Sequence, residues 1–148
     1  MKTLVVFYSR RGRARVVAEN LSKPDDADLY EIKTVLEYNN GFGGYLASRI
    51  QVFRNNPVPI VPISVDLTKY ERVIIVGSLW GRKIAAPIIS FLKEARGKIN
   101  KVEYVLIHFS RRDYYGTFSD MDDILGIHYS KAVSIVFRYG SVERIQRY

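Results

Sequence analysis

Three features of the sequence predict an α/β fold, a doubly wound parallel five-stranded sheet between helices in a three-layer arrangement. Short runs rich in β-branched and aromatic residues recur at Leu4–Phe7, Arg72–Gly77, Val102–Phe109 and Ala132–Phe137. An unbroken run of that kind is what a strand covered on both faces needs. Stretches with apolar residues at helical spacing stand between the runs, as at Ala14, Val17, Ala18 and Leu21. Glycine, proline and aspartate punctuate the alternation, and strands alternating with helices argue for a parallel sheet.

Taken in order, the first run leads through Ser9–Arg13 into a helix ending near Lys23-Pro24-Asp25-Asp26, where proline stops it and aspartate bonds locally to backbone. Leu29–Lys33 alternates and reads as a short edge strand. Glu37–Gly44 is a glycine-rich loop, followed by a helix from Tyr45 to Arg54 with Leu46, Ile50 and Phe53 on one face. The three prolines of Asn55–Pro62 suit only a surface connection. After the strand Arg72–Gly77, Ser78–Ala86 is a loop and Pro87–Arg96 a helix that starts on proline and ends at Gly97. Ser110–Gly116 leaves the next strand, and Thr117 or Ser119 caps a helix whose first turn holds Asp120, Asp122 and Asp123, read as partners of the helix dipole. Gly126 stops that helix. A last strand, Ala132–Phe137, leaves Tyr139–Tyr148 room for at most two helical turns.

The chain of 148 residues fits one domain spanning 1–148, and 47% apolar residues suffice for a core. There are no cysteines and two histidines, which argues against disulfides and a transition-metal centre. Leu4–Phe7 is too short for the core of a signal peptide, and the expectation is a cytoplasmic protein with no membrane segment. A net charge of +8 attracts nucleic acid, acidic proteins or anionic ligands, or is a solvated basic surface.

Lys2-Thr3-Leu4-Val5-Val6-Phe7-Tyr8-Ser9-Arg10-Arg11-Gly12 resembles the strand and phosphate loop of the flavodoxin-like family, of the form (T/S)-x-T-G-x-T. Tyr70-Glu71-Arg72-Val73-Ile74-Ile75-Val76-Gly77-Ser78-Leu79-Trp80, with Pro87, Ser90, Phe91 and Leu92 beyond it, is similar to a second family segment. Gly41–Leu46 is a weaker third match. The resemblance spans about the first two thirds of the chain. It implies strand order 2-1-3-4-5, an FMN cofactor, and a role as electron carrier or small NAD(P)H- or quinone-linked oxidoreductase. Arg11 and Ala14 stand where the pattern has threonine, so arginine either replaces hydroxyl donors with charged ones or obstructs the phosphate.

In such a sheet ligands lie beyond the carboxyl ends of the strands where the order reverses. The phosphate is expected at Ser9, Arg10, Arg11, Gly12, Arg13 and Ala14, where backbone N–H groups and a positive helix end coincide. The ring is expected at Ser78, Leu79, Trp80 and Gly81 and at Ser110, Arg111, Tyr114, Tyr115 and Gly116. Trp80 and one tyrosine would sandwich it, and the backbone of Ser78–Gly81 would meet its protonating nitrogen. Each loop adds a cation pair, Arg10 with Arg11, Arg82 with Lys83, Arg111 with Arg112. The alternative is that Trp80 and the tyrosines only pack, in a flavin-free domain whose basic rim binds another anion, a nucleotide or an acidic protein.

The expected partner is an acidic redox protein or NAD(P)H. The basic residues are scattered over three loops without a recognition helix, which argues against nucleic acid. His108 reads as a structural histidine. Ser141–Tyr148 is too brief for the full helix with which the family ends, and apolar surface bared there would favour a homodimer.

Overall fold

The computed structural model describes residues 2–35, 58–80 and 83–148. The glycine-rich loop, the helix Tyr45–Arg54 and Gly81 with Arg82 lie outside them.

Strand β1 (Thr3–Phe7) is buried throughout. It lies between β2 (Asp28–Glu31) and β3 (Arg72–Trp80), both parallel to it, in registers that set Val5 beside Leu29 and Ile74. Next come β5 (Val102–His108), β6 (Lys131–Arg138) and β7 (Ser141–Arg147), giving the order β2-β1-β3-β5-β6-β7. The short β4 (Lys83–Ile84) pairs antiparallel with the end of β3. The five parallel strands therefore follow the predicted 2-1-3-4-5 order, with β2 at the edge.

Helix α1 (Arg13–Ser22) covers one face, placing Ala14 and Ala18 against Val5, Phe7, Ile74, Val76, Val105 and Ile107. Small residues one turn apart let the helix lie close to the sheet. Helices α2 (Ala86–Ala95) and α3 (Tyr115–Leu125) cover the other face, where Phe91, Leu92, Tyr104, Phe118 and Leu125 make the larger core. Helix α2 has proline in its first turn, and Gly97 (φ 79°) follows its end. No helix among the described residues is long and apolar enough to cross a membrane.

Four expectations are corrected. The chain ends in a β-hairpin, not a short helix: β6 and β7 pair antiparallel across Tyr139 and Gly140, whose φ angles of 53° and 82° are both positive. Two central residues with positive φ match the twist of flanking strands and close a tight hairpin. Ser78, Leu79 and Trp80 belong to β3, not to a loop, because β4 gives them a partner strand.

Helix α3 starts at Tyr115, ahead of Thr117 and Ser119, because the Asp113 carboxylate accepts the Tyr115 N–H at 2.9 Å. Asp122 therefore falls in the last turn of α3, where the dipole disfavours a carboxylate. Its oxygens accept the Tyr104 hydroxyl at 2.8 Å and the Tyr129 N–H at 3.1 Å, and His128 Nδ1 lies at 2.6 Å. Burial, with the Asp122 bond added, pushes the Tyr104 phenol well above its ordinary range.

Candidate functional site

The loop from β1 to α1 is shaped by Gly12, the residue before the helix, at φ 88°. Left-handed backbone there turns the chain into α1 directly behind the strand. The Gly12 N–H donates to Ser9 Oγ at 2.8 Å, which leaves the serine O–H able to donate. The first helical bond runs from Val16 N–H to the Gly12 carbonyl at 3.2 Å. The N–H groups of Arg13, Ala14 and Arg15 precede it and have no acceptor within the helix. Ala14 is buried against the sheet, so it brings a backbone donor and no hydroxyl.

The arginines fan out along the carboxyl edge of the sheet. Arg10 lies over Trp80 with its guanidinium 5.8 Å from the ring centre, and Arg13 lies 4.7 Å over Phe137 of β6. Arg15 reaches the other way, 2.6 Å from Glu31. Arg11 is exposed.

Trp80 is half-buried and meets Tyr8 edge-on at 5.8 Å. The Ser78 carbonyl accepts the Ala85 N–H at 3.0 Å, and Leu79 and Trp80 pair with Ile84 and Lys83. Backbone expected to be open to a ligand is thus engaged in sheet, and Gly81 lies outside the described residues.

The loop after β5 is braced from behind. His108 Nδ1 lies 2.6 Å from the Ser110 carbonyl, an acceptor, so Nδ1 carries the hydrogen. Among the described residues Nε2 is buried without a partner, and burial pushes the His108 pKa down against the raising effect of the Ser110 bond. Tyr114 is buried with its ring 4.5 Å from His108, so the structure spends it on the core. Tyr115 is exposed beside Tyr148, and Gly116 lies in the first turn of α3. Arg112 donates its N–H to Ser110 Oγ at 3.2 Å. Arg111 is drawn towards β7: its guanidinium grips the Glu143 carboxylate, and Arg144 donates to the Arg111 carbonyl at 3.0 Å. The Arg111 bond holds the Glu143 carboxyl below its ordinary value and Arg111 above its own.

A group of residues that sequence reasoning passed over stands on the same edge. Phe109, 54% exposed, meets Tyr139, 88% exposed, at 6.0 Å, and Arg138 stacks 4.5 Å over the Phe109 ring. Phe109 immediately follows a buried strand, much as Trp80 ends one, and that placement was a readable signal. Tyr139 was not readable, because its position depends on the hairpin.

The chemistry supported by this edge is anion binding at a helix start beside flat apolar surfaces. No protein-family model matches the sequence, and no curated protein matches it. Solved structures do. A flavoprotein from Lactobacillus acidophilus, determined in complex with FMN, is 19% identical with a TM-score of 0.74 over 90% of this chain and 91% of its own. A protein from Bacteroides uniformis is 18% identical, TM-score 0.76, covering 94% of this chain and 92% of its own. A flavodoxin from the domain Archaea is 15% identical, TM-score 0.55, covering 93% and 85%. Strand order, helix placement and these backbone likenesses together establish that the protein has the flavodoxin-like fold.

Proposed function

We propose that the protein binds FMN at the edge formed by Ser9–Arg15, Trp80 and Phe109 and serves as a cytoplasmic redox protein, an electron carrier or small NAD(P)H- or quinone-linked oxidoreductase. The observation that carries the reading is the place of the α1 start. It opens beside β1 and β3, where the strand order reverses, and points free N–H groups at that spot.

The FMN phosphate would be held by the N–H groups of Arg13, Ala14 and Arg15, by the Ser9 hydroxyl and by the Arg11 guanidinium. Charge-assisted donors from arginine then stand in for the two missing threonine hydroxyls. Trp80 and Phe109 supply aromatic surface for the ring, in place of the buried Tyr114. Bound flavin supplies one- and two-electron redox chemistry, and the chain's part is to position and tune it. A charge of +8 favours an acidic redox partner or the phosphates of NAD(P)H.

Two observations favour the flavin-free reading, in which the rim takes another anion or an acidic protein. Arg10 already covers part of Trp80, and the backbone of Ser78–Trp80 is paired. Visible flavin absorbance and FMN titration separate the two. Protein that is yellow as purified, or that quenches FMN fluorescence on titration, supports the first; protein that stays colourless with FMN supports the second. Arg11→Thr is expected to weaken FMN binding about tenfold, the scale of one charge-assisted hydrogen bond. Unchanged or tighter binding would show that Arg11 obstructs the loop.

A further inference from the structure

The segment Ser110–Tyr114 leaves β5 at the ligand edge and is fastened at each step. The Ser110 carbonyl lies 2.6 Å from His108 Nδ1, and the next carbonyl, that of Arg111, accepts Arg144 Nη2 at 3.0 Å. The Arg111 guanidinium grips Glu143, Asp113 accepts the Tyr148 hydroxyl at 2.9 Å, and the buried Tyr114 ring lies 4.5 Å from the imidazole. Of these fasteners His108 alone has a side chain that ordinarily changes charge between about pH 5 and 8.

The surroundings of His108 suit one charge state. It is 5% exposed, and Nε2 has no partner among the described residues. In register it shares a row with Val136 of β6 and Arg144 of β7, so one neighbour offers no acceptor and the other a like charge. On its other side stands Leu79 of β3, one step past the pair Ser78 with Ile107. The helices on this face begin at the carboxyl edge with uncharged stretches, Ala86–Leu92 of α2 and Tyr115–Ser119 of α3. The carboxylates of the adjoining segments are engaged elsewhere: Asp113 accepts the Tyr115 N–H and the Tyr148 hydroxyl, and Glu143 holds Arg111, with Arg138 3.7 Å away.

A neutral imidazole with its hydrogen on Nδ1 fits this place. A second proton would bury a charged N–H with no acceptor beside Arg144, and an unpaired charge out of water is costly. Burial, against the raising effect of the Ser110 bond, and the Arg144 charge hold the pKa below its ordinary value. The way out is short, because His108 ends its strand next to the exposed Phe109.

We propose that His108 is a proton-operated latch: protonation drives the imidazole from beneath Tyr114 and loosens Ser110–Tyr114 from the ligand edge. The response of this segment to pH does not need flavin; its effect on FMN rests on the reading above.

Amide hydrogen exchange, followed by NMR between about pH 7.5 and 5.5, tests it. Protection factors, which already allow for the pH dependence of intrinsic exchange, are read at the N–H groups of Arg112, Tyr115 and Thr117, bonded to Ser110 Oγ, Asp113 and the Tyr114 carbonyl. The closed form binds fewer protons than the open one. Opening therefore increases as pH falls, by up to about tenfold per unit from about 6.5 down to the lowered folded-state value. Protection at these three amides is expected to fall accordingly while β1 stays protected. His108→Asn keeps an N–H for the Ser110 carbonyl and does not titrate, so its protection is expected to stay level. Protection independent of pH in the natural chain overturns the proposal, as does a fall of the same size in His108→Asn or one shared by β1. Should the variant fail to fold, the ring signals of the natural chain decide: opening must follow the titration of His108 and not that of the exposed His128. FMN titration over the same range keeps the two readings apart, since a protein that takes no FMN fails the flavin reading and leaves the exchange result standing.

Discussion

Gly12 shows how much of the edge rests on single residues. A Cβ placed on it would meet nothing within 4 Å, so the cost of a side chain comes from the backbone at φ 88° and not from crowding. Gly12→Ala is expected to lose about 1–2 kcal/mol, the price of left-handed backbone for an L-residue. Urea denaturation would show this as a lower midpoint at unchanged slope. His108 answers to pH. Its folded-state pKa is lowered, so the stability linked to it is intact above the ordinary histidine range and is lost as pH falls through the depressed value. Melting temperature should therefore drop between neutral and mildly acidic buffer, and His108→Leu should flatten that drop. Ser9 and Gly12 were legible in the sequence because loop chemistry is local. Which of two adjacent tyrosines enters the core was not: Tyr114 and Tyr115 stand where α3 begins, before any helical period is set, and the choice falls to the space beside His108.

At the scale of elements, the chain's last residues form a hairpin that extends the sheet, where at most two helical turns were expected. Tyr148 packs 5.1 Å from Phe118 and donates its hydroxyl to Asp113 at 2.9 Å, so the hairpin ties the start of α3 to the sheet. Tyr148→Ala is expected to destabilise by roughly 2 kcal/mol, below the 3–5 kcal/mol of a fully buried aromatic, measured by chemical denaturation. The buried strands were readable because runs such as Val73–Val76 admit no other burial. Ser141–Tyr148 was ambiguous: Val142 and Ile145, three apart, suit a helix as well as a bulged strand. Only a turn with positive φ at Tyr139 and Gly140 decides between them, and a tyrosine before glycine is a weak sign of it.

For the molecule as a whole, a net charge of +8 produces a field that favours anionic ligands over neutral ones. FMN carries a phosphate and riboflavin none. The Debye length shrinks from about 30 Å at 0.01 M to about 8 Å at 0.15 M salt. Raising salt across that range should weaken FMN binding and leave riboflavin binding nearly unchanged, as read by fluorescence titration. Equal salt responses would remove the exposed arginines from the phosphate site.

By itself the sequence determined the alternation of strands and helices and with it a parallel sheet, while the order 2-1-3-4-5 came from the resemblance of its motifs to a known family. The alternation follows from hydrophobic period and from short loops, which are properties of neighbours along the chain. The tertiary structure alone decided that Arg111 turns to Glu143, that Tyr114 is spent on the core, that β4 closes the backbone beside Trp80, and that β7 stands last in the strand order. Each of those outcomes depends on groups far apart in sequence competing for the same space or the same hydrogen bond, and no local pattern records who wins.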